Sequence, residues 1–421
     1  MGFEVKWSGW IKACVILVRF SILVNGSLEG FFGSSRDLRQ GDPLSPLLFL
    51  LIMEVISKIL RKTEECGLIH GFHVRPANSV GVRISYLLFV DDTTLFCDVS
   101  RDPLLSIRLA WSCFQAFASL KVNTRKSEIV PIGEVNNLDA FANILSCRVG
   151  NLPMKYLGMP LGTSFKTTSI WNPTLEKKLS GWKRLYLSKG GRLSLLKSTL
   201  SSLPAYFLSL FTIPIAMAAR LERIQRNFLW GLSEGSFKYP LVAWYKVCSP
   251  IEMGGLAIRN VVSFNQALLG TWLWRYGHEV THLWQRVIST KYGEGQGGWS
   301  TKICRRTHGC GLWWSINKGW ESFSKHFSFV VGDGTRICFW HDRRVGVDPL
   351  KILYPELYVL SADKEACIFD VVNHQEGDDV RFWNLRFYRD FKDWELAASF
   401  SLLDFYSSSS STWSRQWFFV L

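Results

Sequence analysis

Two adjacent carboxylates, Asp91 and Asp92, lie between two apolar runs. Ile84-Ser85-Tyr86-Leu87-Leu88-Phe89-Val90 precedes them and Thr93-Thr94-Leu95-Phe96-Cys97 follows. β-branched and aromatic residues on both sides predict strands, with Asp-Asp as the turn between them. Like charges held side by side repel, and a divalent cation relieves that repulsion. Mg²⁺ is a hard cation that takes carboxylate oxygens together with phosphate. Aspartate is also an ordinary turn residue, so these residues alone fit a metal site and a solvated turn equally well.

Two other clusters carry residue types that bind metals. His278-Glu279-Val280-Thr281-His282 fits His-Glu-x-x-His, in which a helix sets two imidazoles on one face with the glutamate as base. No third ligand follows at Gly-x-x-His spacing, so protease chemistry is not expected. Cys304, His308 and Cys310 lie close together, but no second ligand pair follows at zinc-ribbon spacing, and structural zinc is not expected either. The ten cysteines form no Cys-x-x-Cys pair. Scattered singly, they read as reduced, mostly buried thiols of an intracellular protein, with nucleus and cytoplasm both open.

A chain of 421 residues, 48% hydrophobic, holds two or three domains with real cores. Its formal net charge of +14 favours a polyanionic partner. Between Lys166 and Arg220 the basic residues Lys166, Lys177, Lys178, Lys183, Arg184, Lys189, Arg192, Lys197 and Arg220 face a single acid, Glu176. Trp171, Trp182 and Tyr186 are interleaved, a mixture that suits phosphate neutralisation and base stacking. Leu44 to Leu60 contains Pro46 and Glu54 and reads as a buried helix, not a membrane span. Ile11 to Val24 carries Lys12 and Arg19 and lacks the pattern of a signal peptide.

These residues need elements to position them. Lys12 to Val24 predicts a helix running into a strand at Phe20 to Val24, turning at Asn25-Gly26 into a second edge at Gly30 to Gly33. Asp42-Pro43 is a helix start, and the helix runs to about Cys66, with Ile52, Val55, Ile56, Ile59 and Leu60 as its stripe and Gly67 as its stop. Asp102-Pro103 opens another helix, with Leu104, Ile107, Trp111, Phe114 and Ala118 at core spacing. Lys121 to Asn123 and Glu128 to Ile132 read as short strands. The region after Leu221 is helical to about Thr290, Asn265 to Tyr276 being the most amphipathic part. Beyond Gly293 turns dominate, and Val330 to Trp340 predicts a hairpin around Gly332-Asp333-Gly334. The fold class is α+β.

Leu38-Arg39-Gln40-Gly41-Asp42-Pro43-Leu44-Ser45-Pro46 together with Phe89-Val90-Asp91-Asp92 resembles motifs B and C of the reverse transcriptases of plant non-LTR (LINE-type) retrotransposons, with Val90 where alanine is usual. Asn123 to Glu128 resembles motif D, with Lys126 in the lysine position. Met154-Lys155-Tyr156-Leu157-Gly158-Met159-Pro160-Leu161-Gly162 resembles the segment that grips the primer terminus. Gly181-Trp182-Lys183 to Leu210, Phe228-Leu229-Trp230-Gly231 and Asn265 to Tyr276 resemble the thumb and post-thumb helices.

The resemblance implies a partial polymerase palm over 1–162, a basic helical thumb and post-thumb region over 163–290, and a C-terminal region of unassigned role over 291–421. It implies template-directed nucleotidyl transfer with Mg²⁺ or Mn²⁺, an RNA template and a DNA primer. Asp91 and Asp92 would be metal ligands, and Lys126 would serve the leaving pyrophosphate. Arg39, Gln40, Gly41, Asp42 and Pro43 would line nucleotide and template, with Gly41 giving close backbone approach. Tyr156, Leu157 and Gly158 would grip the primer. Lys177, Lys178, Lys183, Arg184, Lys189, Arg192 and Lys197 would meet nucleic acid. No membrane contact is implied.

Motif A, the strand-end aspartate that bridges both metals in this family, has no counterpart here. Only Glu4 and Glu29 precede Asp37, and Gly2-Phe3 to Trp7 resembles the segment just after motif A. The expectation is therefore an N-terminally truncated module, inactive as a polymerase unless a complementing fragment supplies the third carboxylate. The alternative is a non-catalytic nucleic-acid-binding remnant.

Overall fold

Asn25 and Gly26 take positive φ, 48° and 90°, in the computed structural model of the chain. Those angles suit a two-residue hairpin turn whose twist matches its strands. They join β1 (Arg19–Val24) to β2 (Ser27–Gly33), with Val24 opposite Ser27. The structure describes residues 4–33, 41–74, 81–118, 120–162, 171, 187–202, 204–231, 242–302, 311–343, 348–374, 381–408 and 417–420.

Two compact units divide the chain. The first holds Met1–His73 and Arg83–Asn151, the second Val74–Val82 and Leu152–Leu421. Helices and small sheets mix in both, an α+β arrangement. The described sheets are five two-stranded and one three-stranded.

In the first unit α1 (Val5–Ile16) precedes β1, so the predicted helix begins seven residues before Lys12. The next helix, α2 (Leu44–Glu65), is started by Asp42. Its Oδ1 accepts from the Leu44 N–H at 2.8 Å and its carbonyl accepts from the Ser45 N–H at 3.1 Å. Gly67 ends the helix with φ 70°. Its N–H reaches the Glu64 carbonyl at 2.9 Å while the Leu68 N–H reaches that of Thr63 at 3.0 Å, the paired bonds of a Schellman close. Met53, Ile56 and Leu60 bury one face of α2 against Leu104, Ile107, Ala110 and Phe114 of α3 (Arg101–Ala118). Short strands β3 (Phe72–Val74) and β4 (Val82–Ile84) pair with each other, and β5 (Tyr86–Phe89) pairs with β6 (Asp92–Leu95). The strand expected at residues 121–123 does not form. The Asn123 carbonyl instead accepts from the Lys126 and Ser127 N–H groups at 3.0 and 3.1 Å, closing a turn. Strand β7 (Glu128–Ile129) then pairs in parallel with β8 (Arg148–Val149), with α4 (Leu138–Leu145) between them.

The second unit opens with the hairpin of β9 (Met154–Tyr156) and β10 (Met159–Leu161). Helices α5 (Lys189–Leu195, continuing into a π-helical turn), α6 (Ala205–Leu208), α7 (Ile215–Trp230), α8 (Trp244–Cys248) and α9 (Val261–His278) follow. Met159, Trp171, Leu196, Leu208, Met217, Leu221 and Ile258 share one core. Buried Asn265 is its polar fastener: Nδ2 donates to the carbonyls of Leu208 and Phe211 at 2.7 and 2.9 Å, and Oδ1 accepts from Ile213 at 3.0 Å. A second cluster sets Leu269, Leu273 and Tyr276 of α9 against Trp313 and Ile316 of α11 (Leu312–Asn317), with Trp284 and Ile288 of α10 (Leu283–Tyr292) at its edge. A third gathers Ile337, Phe339, Trp340, Leu357, Ile368, Trp383 and Leu402.

Beyond Gly293 the chain is more helical than its turn-rich sequence suggests. It forms Trp320–Phe323, Leu350–Leu353, Pro355–Leu360, Ile368–Val371 and Asp393–Ser408. No hairpin forms over 330–340. Asp333 Oδ1 accepts from the Thr335 N–H and hydroxyl at 3.1 and 2.9 Å, and Cys338 bridges to Cys367, a partner distant in sequence. No described helix is long and apolar enough to cross a membrane.

Candidate functional site

The carboxylate hairpin turns one residue earlier than the sequence suggests. Phe89 faces Asp92, Leu88 faces Thr93 and Tyr86 faces Leu95, so Val90 and Asp91 make the turn and Asp92 begins β6. Both aspartates are exposed. Ser85 fixes this register. Its carbonyl accepts from the Phe96 N–H at 2.8 Å, continuing the ladder past the strand break. The Ser85 hydroxyl is buried, donates to Glu64 Oε1 at 2.7 Å and accepts from the Gly71 N–H at 3.1 Å. Tyr86, Leu88 and Leu95 pack onto the core built by α2 and α3. The inward face of the hairpin is thus anchored while its tip projects into solvent.

Val90 has φ 54°, and Asp91 is not among the residues of positive φ. Positive φ at the first turn residue only is the pattern of type II′, where glycine is the ordinary choice. A β-branched residue there is strained, and strain of this kind clusters at functional sites.

The segment resembling motif B is described from Gly41 onward; Arg39 and Gln40 lie outside the described residues. Gly41 has φ 87° and open space around it within the chain, so here glycine serves backbone conformation. Asp42 is committed to starting α2, and Pro43 stands just ahead of the first helical residue. Lys126 is exposed on the turn closed by Asn123, whose Oδ1 also lies 3.3 Å from the Lys126 N–H.

The remaining candidates belong to the second unit. Leu157 and Gly158 turn the β9–β10 hairpin with φ 49° and 78°. The Tyr206 hydroxyl donates to the Leu157 carbonyl at 2.7 Å and fixes that turn from 49 residues away. Lys189 and Lys197 are exposed on α5 and the π-helical turn after it. Arg192 occupies the space beside Gly231 that a Cβ there would need, at the C-terminal end of α7. Lys177, Lys178, Lys183 and Arg184 lie outside the described residues. Trp171, expected among the stacking aromatics, is instead a core residue only 1% exposed, its ring centroid 6.0 Å from that of Phe207.

The His278-Glu279-x-x-His282 pattern does not form a helical ligand pair. Helix α9 ends at His278, Glu279 leaves helical geometry at φ −91°, ψ 47°, and His282 precedes α10. Glu279 is held by Arg275, Nε to Oε1 at 2.7 Å and Nη2 to Oε2 at 3.0 Å, and by Trp284 Nε1 at 2.8 Å. The two Arg275 hydrogen bonds, then that of Trp284, hold its carboxyl down to about 2. His278 stacks on Trp274 with ring centroids 4.3 Å apart, beside an aromatic cavity of about 280 Å³ lined by Trp299, Trp320 and Phe327. Cys304, His308 and Cys310 lie outside the described residues. Among the described residues no three His, Cys, Asp or Glu side chains form a metal-holding group.

Sequence reasoning missed Ser85, Glu64 and Tyr206. A serine inside an apolar run is a signal for the first. Glu64 and Tyr206 act across sequence gaps of 21 and 49 residues, which no local pattern reports.

Comparison with known proteins bears on these residues. Residues 2–161 match the family described as "Reverse transcriptase (RNA-dependent DNA polymerase)". Three similar proteins come from Arabidopsis thaliana. "Putative ribonuclease H protein At1g65750" is 37% identical over 177 residues, 42% of this chain and 28% of that protein. "Uncharacterized mitochondrial protein AtMg01250" is 47% identical over 72 residues, 17% of this chain and 57% of that protein. "Uncharacterized mitochondrial protein AtMg00310" is 31% identical over 143 residues, 34% of this chain and 92% of that protein. The chain thus spans about a quarter of the first relative's length and just over half of the second's.

Proposed function

We propose that this chain, whose residues 2–161 match the reverse transcriptase family, is a template–primer-binding module of non-LTR (LINE-type) retrotransposon origin. Its first unit carries part of a polymerase palm, and its second carries primer-grip and thumb-like surfaces. The observation that carries this reading is the pair Asp91 and Asp92, presented to solvent at the tip of a hairpin whose base is pinned by Ser85.

Two neighbouring carboxylates are hard oxygen donors and fit Mg²⁺, which binds through one or two carboxylates, several waters and substrate phosphates. When bound, the metal supplies charge stabilisation for nucleotidyl transfer. Asp91 at the turn is the more direct ligand, and Asp92 at the strand start supports it. Lys126, exposed and without a carboxylate in its turn, is assigned to the leaving pyrophosphate. Gly41 to Pro43, with Arg39 and Gln40, are assigned to the nucleotide and template side, and Tyr156 to Gly158 to the primer. Lys177, Lys178, Lys183, Arg184, Lys189, Arg192 and Lys197 are assigned to the nucleic-acid backbone.

The sequence holds two of the three carboxylates that two-metal chemistry uses, so we propose that this chain alone does not extend a primer. A complementing polypeptide would bring the third. In the α1–β2 region Val5, Leu17, Leu23, Phe31 and Phe32 are exposed apolar side chains, Val5 at 90% and Phe31 at 72%, which supports a partner that covers them. The second reading, a non-catalytic nucleic-acid-binding remnant, is favoured by the exposed Lys189 and Lys197 and needs no metal.

Primer extension on poly(rA)/oligo(dT) with Mg²⁺ or Mn²⁺, beside binding to the same duplex across a salt series, tests both. The expected result is no extension, with affinity falling steeply as salt rises. Robust extension abolished by Asp91→Asn would overturn the proposed inactivity, and salt-independent or undetectable binding would overturn the nucleic-acid reading.

A further inference from the structure

Cys338 and Cys367 are partners in an antiparallel bridge. The Phe339 N–H reaches the Ala366 carbonyl at 2.9 Å and the Ile368 N–H reaches that of Ile337 at 2.8 Å. These bonds flank the cysteines, so the pair occupies a non-hydrogen-bonded position. There the Cα atoms lie about 4.5 Å apart with side chains on one face, inside the range a disulfide spans. Cys338 is buried and Cys367 half-buried, so Cys367 is the residue of the pair that meets solvent.

We propose that Cys338 and Cys367 are a reversible redox site, closing to a cross-strand disulfide in the presence of a low-molecular-weight disulfide such as oxidised glutathione. The half-exposed Cys367 loses its proton to solvent and its thiolate attacks one sulfur of the small disulfide. That S–S bond breaks, a mixed disulfide forms, and one small thiolate leaves. Cys338 then loses its proton and attacks the Cys367 sulfur, expelling the second small thiolate. Two electrons pass from the cysteine pair to the small disulfide, which ends as two thiols.

The surroundings set the rate and the consequence. Burial, then Asp342 and Glu365, push the Cys338 thiol up to about 12, and burial, then Asp370 and Asp342, raise the Cys367 thiol. Asp342 and Asp370 also bond the cysteines' own N–H groups at 2.7 and 3.0 Å. Exchange is therefore slow at neutral pH and quickens with alkalinity. His341 lies 3.3 Å from Glu365 and 3.0 Å from Lys351, and burial, then Lys351, lower its pKa. The bond would tie Ile337, Phe339 and Ile368 of the third core together.

The test uses the full chain, held reduced or incubated with oxidised glutathione, then alkylated in denaturant and digested with trypsin. The expected product is a linked pair of peptides, Ile337–Arg343 with Glu365–Arg381, dominant over all other cysteine pairings. Hydrogen exchange at the Phe339 and Ile368 amides should slow by roughly 500-fold, the effect of closing a loop of about 30 residues. Cys338→Ser should stop at the Cys367–glutathione mixed disulfide. The proposal is overturned if folded wild-type chain keeps both thiols alkylatable, or accumulates the mixed disulfide without closing. The wild-type time course decides this even if the variant fails to fold.

Discussion

Phe89 and Asp92 face each other across a two-residue turn, which leaves Val90 to carry positive φ directly ahead of Asp91. Strain of this kind costs about 1–3 kcal/mol, while glycine's extra backbone entropy costs about 0.5–1 kcal/mol. Val90→Gly should therefore stabilise the first unit by about 1 kcal/mol, read as a higher urea midpoint. Val90→Ala, which keeps a Cβ at positive φ, should gain much less. A lower midpoint for the glycine variant would show that the turn is not strained.

Ser85 is a single hydroxyl serving two partners in a buried setting. Ser85→Ala removes the donor to the half-buried Glu64 carboxylate and the acceptor of the half-buried Gly71 N–H, hydrogen bonds worth about 0.5–1.5 kcal/mol each. The expected loss in urea stability is about 1–3 kcal/mol. The metal binding proposed for Asp91 and Asp92, followed by Mn²⁺ titration, should weaken in step as the hairpin loses its register. Unchanged stability would remove Ser85 as the pin of the hairpin.

Asn265 should be the most costly single polar side chain to remove from the second unit. Asn265→Leu leaves two carbonyls and one N–H without partners in a core, so about 3–5 kcal/mol of stability is expected to go. Asn265→Asp should fare no better, because a carboxylate cannot donate to Leu208 and Phe211 and its charge would be buried. Thermal denaturation of the three forms checks this, and a loss below about 1 kcal/mol would contradict it.

The Arg275–Glu279 pair predicts a pH dependence of definite sign. The Glu279 carboxyl lies at about 2 when folded and near 4.3 when unfolded. Its contribution is fully present above the unfolded value and is lost as pH falls from there through about 2. The stability gap between wild type and Glu279→Gln should thus be widest near neutrality, narrow below about pH 4 and vanish near pH 2. A gap independent of pH over this range would show that the ion pair is not its source. The zinc content of purified chain should not respond to His278→Ala or His282→Ala.

Much of the local architecture was legible in residues whose effect is local. Asn25-Gly26 makes its hairpin turn, Asp42 starts α2, Gly67 stops it, and Ile52, Val55, Ile56, Ile59 and Leu60 turn one face to the core, because capping bonds, φ preferences and a 3.6-residue period all act within a few positions. Failures came where the deciding partner was distant. The strand expected at residues 121–123 gave way to a turn when Asn123 captured Lys126 and Ser127. The hairpin over 330–340 gave way to the bridge between Cys338 and Cys367. Trp171, interleaved with lysines, reads as a stacking platform until the core built by Leu196, Leu208 and Met217 encloses it.

The candidate site divides in the same way. By itself the sequence determined that two carboxylates stand between two strands, that a capped helix follows Gly41, and that positive charge accumulates after Lys166, all of them matters of residue type and spacing. Only the tertiary structure decided which residue occupies the turn, because register depends on Ser85 meeting Glu64 and Gly71. It likewise decided that Glu279 belongs to Arg275 and Trp284, because the helix that would have aligned His278 with His282 ends between them. A hydrogen bond across a long gap depends on how elements pack, and packing is a property of the folded chain that no short window of residues contains.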